Sequence, residues 1–204
     1  MSELDSRSAE QRPAPAESAE PVPYISYEAF GRRFLEYAAT EQRILGAFDQ
    51  LTGAAFDFGP IGVGPGRLAK ASAQVQLGQA EVRRDLDEVI SFALKIPLSV
   101  DMLIDLALDK HRFEVDGHIH LQLIVRAAEP LRVVIDIATP RSSDVRINVA
   151  TDTIRGQLLR ILASVDQEIR RFIARYIAKE IDKPHIAAAR DINVAKRLDE
   201  AWKL

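Results

Sequence analysis

The segment ISFALKIPLSVDMLIDLAL, residues 90–108, decides the fold because apolar and polar side chains alternate along nearly all of it. Every even position is a large apolar residue, whereas most odd positions are small or polar. A period of two is typical of a β-strand with one buried face and one solvent-exposed face. Pro97 has no N–H for a neighbouring strand, so it predicts a bend or an edge position here. The segment predicts one very long strand.

The same alternation returns three times after this segment. It recurs in FEVDGHIHLQLIV (residues 113–125), and again in residues 131–137 and 145–149. Only short polar turns separate these runs, and short connections join antiparallel neighbours. The sequence therefore predicts a long, strongly curved antiparallel meander sheet with one apolar face.

A long amphipathic helix is predicted to cover that face. Thr151, Asp152 and Thr153 offer side-chain oxygens for an N-cap, and Pro184 ends the helix after residue 183. Apolar residues recur between them at helical spacing: Ile154, Leu158, Leu162, Val165, Ile169, Ile173, Tyr176 and Ile177. The predicted fold class is α+β, with the curved sheet wrapped around the helix of residues 151–183.

The chain is predicted to form one domain with a tail. Residues 1–23 are rich in Ser, Glu, Ala and Pro and predict a disordered, acidic tail. Residues 24–204 predict a single α+β domain. Within it, residues 24–66 hold an N-terminal helix and a glycine-rich loop, residues 67–149 hold the long strands, and residues 184–204 form a C-terminal segment with a short helix from Val194.

The N-terminal part has an aromatic helix followed by the glycine-rich loop. The helix spans residues 26–51 with Ser26 as its cap, and its apolar side carries Phe30, Phe34, Tyr37, Ile44, Leu45 and Phe48. That side is either core or a surface for a partner helix or lipid. The loop, GAAFDFGPIGVGPG (residues 53–66), predicts a mobile lip or a structural turn. The charged residues 81–88 predict a connection or a short helix.

Composition excludes several functional classes. The net charge of −3 gives no support for a nucleic-acid partner, which favours a basic face. The absence of cysteine excludes thiol catalysis and disulfides. No apolar run is long enough for a transmembrane segment, and no signal peptide is visible, so the expected compartment is the cytoplasm.

His118 and His120 form the one metal-like pattern in the sequence. Two histidines at i and i+2 on a strand point to the same face and could both bind zinc, iron or copper. A catalytic centre needs a third ligand, which the sequence does not identify. The two side chains also share the polar face with Gln122 and Arg126, so solvent exposure is the simpler interpretation.

Long antiparallel strands with one apolar face, followed by a long amphipathic helix, resemble the tubular lipid-binding (TULIP) superfamily. That group includes the bactericidal/permeability-increasing and SMP-type domains and smaller bacterial relatives. The resemblance covers residues 90–181 and rests on architecture. It implies a curved sheet that wraps a long helix and leaves an apolar groove for acyl chains. Many relatives are exported, and the missing signal peptide is a departure from them.

The expected function is non-catalytic binding of a lipid or another hydrophobic small molecule, with no cofactor. The predicted groove residues are Phe92, Leu94, Met102, Ile104, Leu106, Leu121, Leu123, Ile135, Leu158, Leu162 and Val165. A lined groove and a filled core require the same alternation. One alternative is therefore a filled-core scaffold or protein-interaction domain, either monomeric or a homodimer. Another alternative is a metal enzyme that uses His118 and His120.

Overall fold

The computed structural model describes residues 22–106, 108–148 and 157–203. The helices are α1 (Tyr27–Ala38), α2 (Glu41–Phe48), α3 (Gln157–Ile181), α4 (Pro184–Arg190) and α5 (Val194–Ala201). The strands are β1 (Ala55–Val63), β2 (Ala69–Leu77), β3 (Glu81–Asp85), β4 (Ser91–Asp105), β5 (Lys110–Ala128), β6 (Arg132–Ile137), β7 (Val145–Asn148) and β8 (Asp191–Asn193). The predicted tail lies outside the described residues except for residues 22 and 23.

One strongly curled antiparallel sheet contains all of these strands and confirms the predicted α+β class. Its order is β1-β2-β4-β5-β6-β8, with β3 added to β4 and β7 added to β5. The two long strands β4 and β5 pair without interruption from Ser91↔Ile124 to Asp105↔Lys110. Because β2 and β3 share one side of β4, and β6 and β7 share one side of β5, the central pair carries different neighbours at its two ends.

Pro97 lies where β4 changes from one neighbour to the other. β2 pairs with β4 from Leu98 onward, and β3 pairs with it up to Lys95. The Gly78 N–H donates to the Pro97 carbonyl oxygen over 2.7 Å, so the backbone of Pro97 faces the corner between β2 and β3. On this side of β4, neither β2 nor β3 pairs with Pro97, so its missing N–H does not interrupt a strand pairing. This agrees with the predicted bend or edge position.

Helix α3 lies across the open side of the half-barrel. It contacts β1 at one edge of the sheet and β7 at the other. On the β1 side, the Phe172 ring lies 5.9 Å from the Phe56 ring and 5.2 Å from the Phe58 ring, while Tyr176 stacks on Phe56 at 3.8 Å. These ring contacts pack α3 against β1.

Hydrogen bonds hold α3 to β7 on the other side. The Arg170 guanidinium donates to the carbonyl oxygens of Val145 and Ile147, at 3.4 and 3.3 Å. Asp166, one turn earlier, accepts from Arg170 Nε at 3.0 Å and orients the guanidinium. The predicted long helix is confirmed for Gln157–Ile181, and its predicted N-cap, residues 151–153, lies outside the described part.

The core lies between the concave face of the sheet and the helices. The even positions of β4 are buried from Phe92 to Ile104, and they share one apolar cluster with the inward side chains of β2, β5 and α3. Among the described residues, no polar or charged side chain is buried. The curled sheet and its helices are compatible with a TULIP-like architecture.

The predicted glycine-rich loop is wrong for most of its length, because residues 55–63 form β1. The pairing with β2 shifts register between Phe58 and Ile61, which is a β-bulge. Gly59 in this bulge has φ +86°, and a Cβ there would collide with the Ala71 carbonyl oxygen. The glycine and proline that suggest a loop therefore fit a kink within a strand.

Two further elements differ from the prediction. Residues 81–85 form the edge strand β3, although their charge suggested a connection or helix. The predicted helix of residues 26–51 is two helices, because Thr40 starts a new one by accepting from the Arg43 N–H at 3.3 Å. Ser26 caps α1 as predicted, by accepting from the Ala29 N–H. None of the described helices has both the length and the apolar character that crossing a bilayer requires.

Candidate functional site

An apolar cavity of about 600 Å³ lies between the two N-terminal helices and the C-terminal segment; we call it the interhelical cavity. The N-terminal helices contribute Phe34, Tyr37, Ala38 and Arg43. The C-terminal segment contributes Ala188, Ala189, Ile192, Val194, Arg197 and Leu198. Eight of these ten side chains are apolar or aromatic, so the cavity presents a hydrophobic wall with a small number of polar groups.

The C-terminal wall is fixed to the edge of the sheet. β8 pairs with β6, and the Arg132 guanidinium forms a two-pronged ion pair with the Asp191 carboxylate. The Val194 N–H donates to the Leu131 carbonyl oxygen at 3.0 Å, and Arg190 Nε donates to the Ile135 carbonyl oxygen at 3.2 Å. This wall therefore has a defined position relative to the core.

The N-terminal wall is fixed by contacts around the junction between α1 and α2. The Arg43 guanidinium donates to the carbonyl oxygens of Tyr37 and Ala38, each at 2.9 Å, and so satisfies the end of α1. The Glu41 carboxylate accepts from the Arg84 N–H of β3 at 2.8 Å. The cavity thus lies between two anchored walls whose residues are distant in sequence.

Among the lining residues that the structure describes, the only charged side chains are two arginines. Arg43 is engaged with the end of α1 and lies over the Tyr37 ring at 5.4 Å. Arg197 is exposed and forms no hydrogen bond or ion pair with any residue that the structure describes. The cavity is therefore apolar inside and cationic where it meets solvent.

A second cavity, of about 780 Å³, differs in its charge. It lies between the start of α1 and the ends of β4 and β5, and Glu28, Arg32, Glu88 and Arg126 are among its lining residues. Two acidic and two basic side chains balance one another. This cavity has neither the apolar wall nor the single sign of charge of the interhelical cavity.

The residues predicted to line a sheet–helix groove lie together in the core. Nine are buried: Phe92, Leu94, Met102, Ile104, Leu121, Leu123, Ile135, Leu162 and Val165. Leu106 is partly buried against the same cluster. The side chain of Leu158 lies outside the described residues. None of the described members lines the interhelical cavity or the 780 Å³ cavity.

His118 and His120 lie on the outer face of the sheet, with ring centroids 4.6 Å apart. Lys95 is opposite His120 on β4, and Arg146 is opposite His118 on β7. The pKa of His118 is lower than its ordinary value, and partial burial is the largest cause. The positive charges of His120, Lys95 and Arg146 lower it further. In the described part of the chain, no three His, Cys, Asp or Glu side chains are placed together to hold a metal ion.

Sequence reasoning missed the interhelical cavity, although it noticed part of one wall. The apolar side of the predicted helix of residues 26–51 suggested either core or a partner surface, and the structure divides it between α1 and α2. Ile44 and Phe48 are buried, whereas the side chains of Phe30 and Tyr37 are 60% and 75% exposed. In the C-terminal wall, helical spacing predicted a short helix from Val194, and α5 confirms that helix.

In comparisons with known proteins, no protein-family model and no curated protein matches the chain.

Proposed function

We propose that the protein binds a lipid or another hydrophobic ligand, without transforming it, in the interhelical cavity. The observation that carries this proposal is an apolar cavity of about 600 Å³ between two anchored walls. Small-molecule sites are typically concave, mostly apolar, and roughly 300–1,000 Å³ in volume, with a few polar groups that orient the ligand.

The chemistry of the lining favours binding over catalysis. Its two charged groups are guanidiniums, which donate hydrogen bonds but are not suited to act as general bases or nucleophiles. They can orient a ligand by donating hydrogen bonds. A hydrophobic wall with fixed donors is what a carrier or sensor of an apolar molecule requires.

Filling the cavity tests the proposal. We expect Ala188→Trp to weaken binding of the neutral dye Nile red at least tenfold, because the indole would occupy the space that the dye needs. Ala187→Trp is the matched control: Ala187 is the preceding residue of α4, is exposed like Ala188, and does not line the cavity. The control should bind the dye like the parent protein. Both variants should melt within a few degrees of the parent, since both sites face open space.

Two results would contradict the proposal. One is a parent protein that binds no dye at all. The other is an Ala188→Trp variant that is folded and binds the dye with the parent's affinity.

A protein-interaction role is the second candidate, and one observation favours it. Tyr27, Phe30 and Tyr37 project from α1 with exposed fractions of 97%, 60% and 75%. Contiguous exposed aromatic residues often mark contact surfaces. If this surface joins two copies, light scattering will give a dimer mass that Tyr27→Ser/Phe30→Ser reduces to the monomer mass. A monomer at every concentration for the parent argues against self-association.

A further inference from the structure

We infer that the ligand of the interhelical cavity is a single-chain amphiphile with an anionic oxygen headgroup, which Arg197 binds. This inference rests on the proposed function and adds the chemical class of the ligand. It is based on the positive charge at the cavity and on the hydrogen-bond partners of the two guanidiniums that supply this charge.

The charges at the cavity are all positive. Arg43 and Arg197 line it, and no acidic side chain is among the described lining residues. In the 780 Å³ cavity, by contrast, two glutamates offset two arginines. An uncompensated cationic site beside low-dielectric walls attracts anions, because nearby apolar groups screen the field less than water does.

Arg197 is available to a ligand, whereas the preceding residue, Lys196, has partners within α5. The Lys196 ammonium lies 3.9 Å from the Glu200 carboxylate, and the Lys196 N–H donates to the Asn193 side chain that caps the helix. Arg197 has no such partner among the described residues. A free guanidinium presents a planar fork of donors that matches a carboxylate or a phosphate oxygen pair.

Arg43 has a different part in this site. One of its terminal nitrogens, Nη1, donates to both the Tyr37 and the Ala38 carbonyl oxygens, and the guanidinium packs over the Tyr37 ring. These contacts fix its position and leave Nη2 and Nε for other acceptors. Arg43 therefore adds a second, fixed positive charge opposite the C-terminal wall.

The apolar wall continues directly from the cationic group. Leu198 follows Arg197 in α5, and Val194 lies one turn earlier; both line the same cavity. Arg197 and Arg43 are exposed, so the headgroup would lie at the solvent side and the chain against the apolar wall. A fatty-acid-like molecule meets both requirements. A neutral apolar molecule would contact the apolar wall without using the exposed guanidinium of Arg197.

The test compares ligands that share a chain and differ in the headgroup. Decanoate, decyl phosphate and 1-decanol are titrated by calorimetry into the parent protein, Arg197→Gln and the matched control Lys196→Gln, at constant pH and ionic strength. We expect Arg197→Gln to weaken the binding of both decanoate and decyl phosphate by about three- to fivefold, the size expected for the loss of an exposed ion pair. It should change the affinity for 1-decanol by less than twofold. Lys196→Gln should change none of the three by more than about twofold.

The outcomes separate the two proposals. If the parent binds none of the three ligands, the proposed function itself is contradicted. If the parent binds 1-decanol and Arg197→Gln leaves both anionic ligands unchanged, the headgroup inference fails while the proposed function stands. Equal losses for all three ligands in Arg197→Gln would also overturn the inference. The ratio between decanoate and decyl phosphate identifies which oxygen headgroup the site prefers.

Discussion

Removing the Phe172 ring should loosen α3 from the first strand of the sheet. Phe172 contacts the rings of Phe56 and Phe58, and these contacts join α3 to β1. Burial of a whole phenylalanine side chain contributes about 1.5–3 kcal/mol, and roughly half of this applies to the partly buried Phe172. Two aromatic pairs add about 0.5–1.5 kcal/mol each. Phe172→Ala should therefore lower the free energy of unfolding by about 2–4 kcal/mol.

Urea denaturation measures this loss, with an unchanged m-value as the condition for comparing free energies. Phe30→Ala is the control, because Phe30 has the same side chain, is 60% exposed and stacks on one ring, that of Phe34. It should lose less than about 1 kcal/mol. If Phe172→Ala loses no more than Phe30→Ala, the rings do not hold α3 to the sheet and this description of the fold is refuted.

Four further predictions concern the outer face of the sheet and two glycines. Because the Lys95 charge contributes to the lowered pKa of His118, Lys95→Gln should raise that pKa in an NMR titration, whereas the distant Lys179→Gln should leave it unchanged. Since the lowered pKa means that the unfolded chain takes up this proton first, His118→Gln should lessen the loss of stability as the pH falls below about 6.5; an equal loss in parent and variant would contradict the assignment. Gly117→Ala should lose about 1–3 kcal/mol in thermal or urea unfolding, because its Cβ would collide with the Arg146 carbonyl oxygen. Gly31→Ala, which has open space within α1, should gain about 0.5–1 kcal/mol, and a loss there would show that the glycine is needed.

Alternation predicted the central strands because β4 and β5 are long and have one buried face. Their apolar positions follow the period of two over residues 92–104 and 113–125. The same holds for α3, whose buried residues recur at helical spacing. Local patterns of this length determine the element type almost independently of what packs against them.

The elements that escaped prediction are β1, β3, β8 and the break between α1 and α2, and tertiary contacts determine each of them. β1 contains a kink at Gly59, so its composition is that of a loop while its pairing with β2 makes it a strand. β3 is short and charged, and β8 has only three residues, so neither offers a period to recognise. The break between α1 and α2 depends on one cap at Thr40 within an otherwise continuous helical pattern.

The candidate site could not be read from the sequence for a related reason. Its two walls, near Tyr37 and near Leu198, are more than 150 residues apart and meet because β8 pairs with β6. No local pattern predicts that pairing. The positive sign of the cavity also becomes visible only when Arg43 and Arg197 are placed on the same surface.

The location of a bound ligand distinguishes the interhelical cavity from the core between the sheet and α3. Intermolecular NOEs can be measured between unlabelled decanoate and the methyl groups of protein labelled at alanine, isoleucine, leucine and valine. We expect NOEs to Ala188, Ile192 and Leu198 of the interhelical cavity, and none to Leu123 and Leu162 in the core between the sheet and α3. NOEs to Leu123 and Leu162 without any to Ala188, Ile192 and Leu198 would contradict the account and place the ligand between the sheet and the long helix.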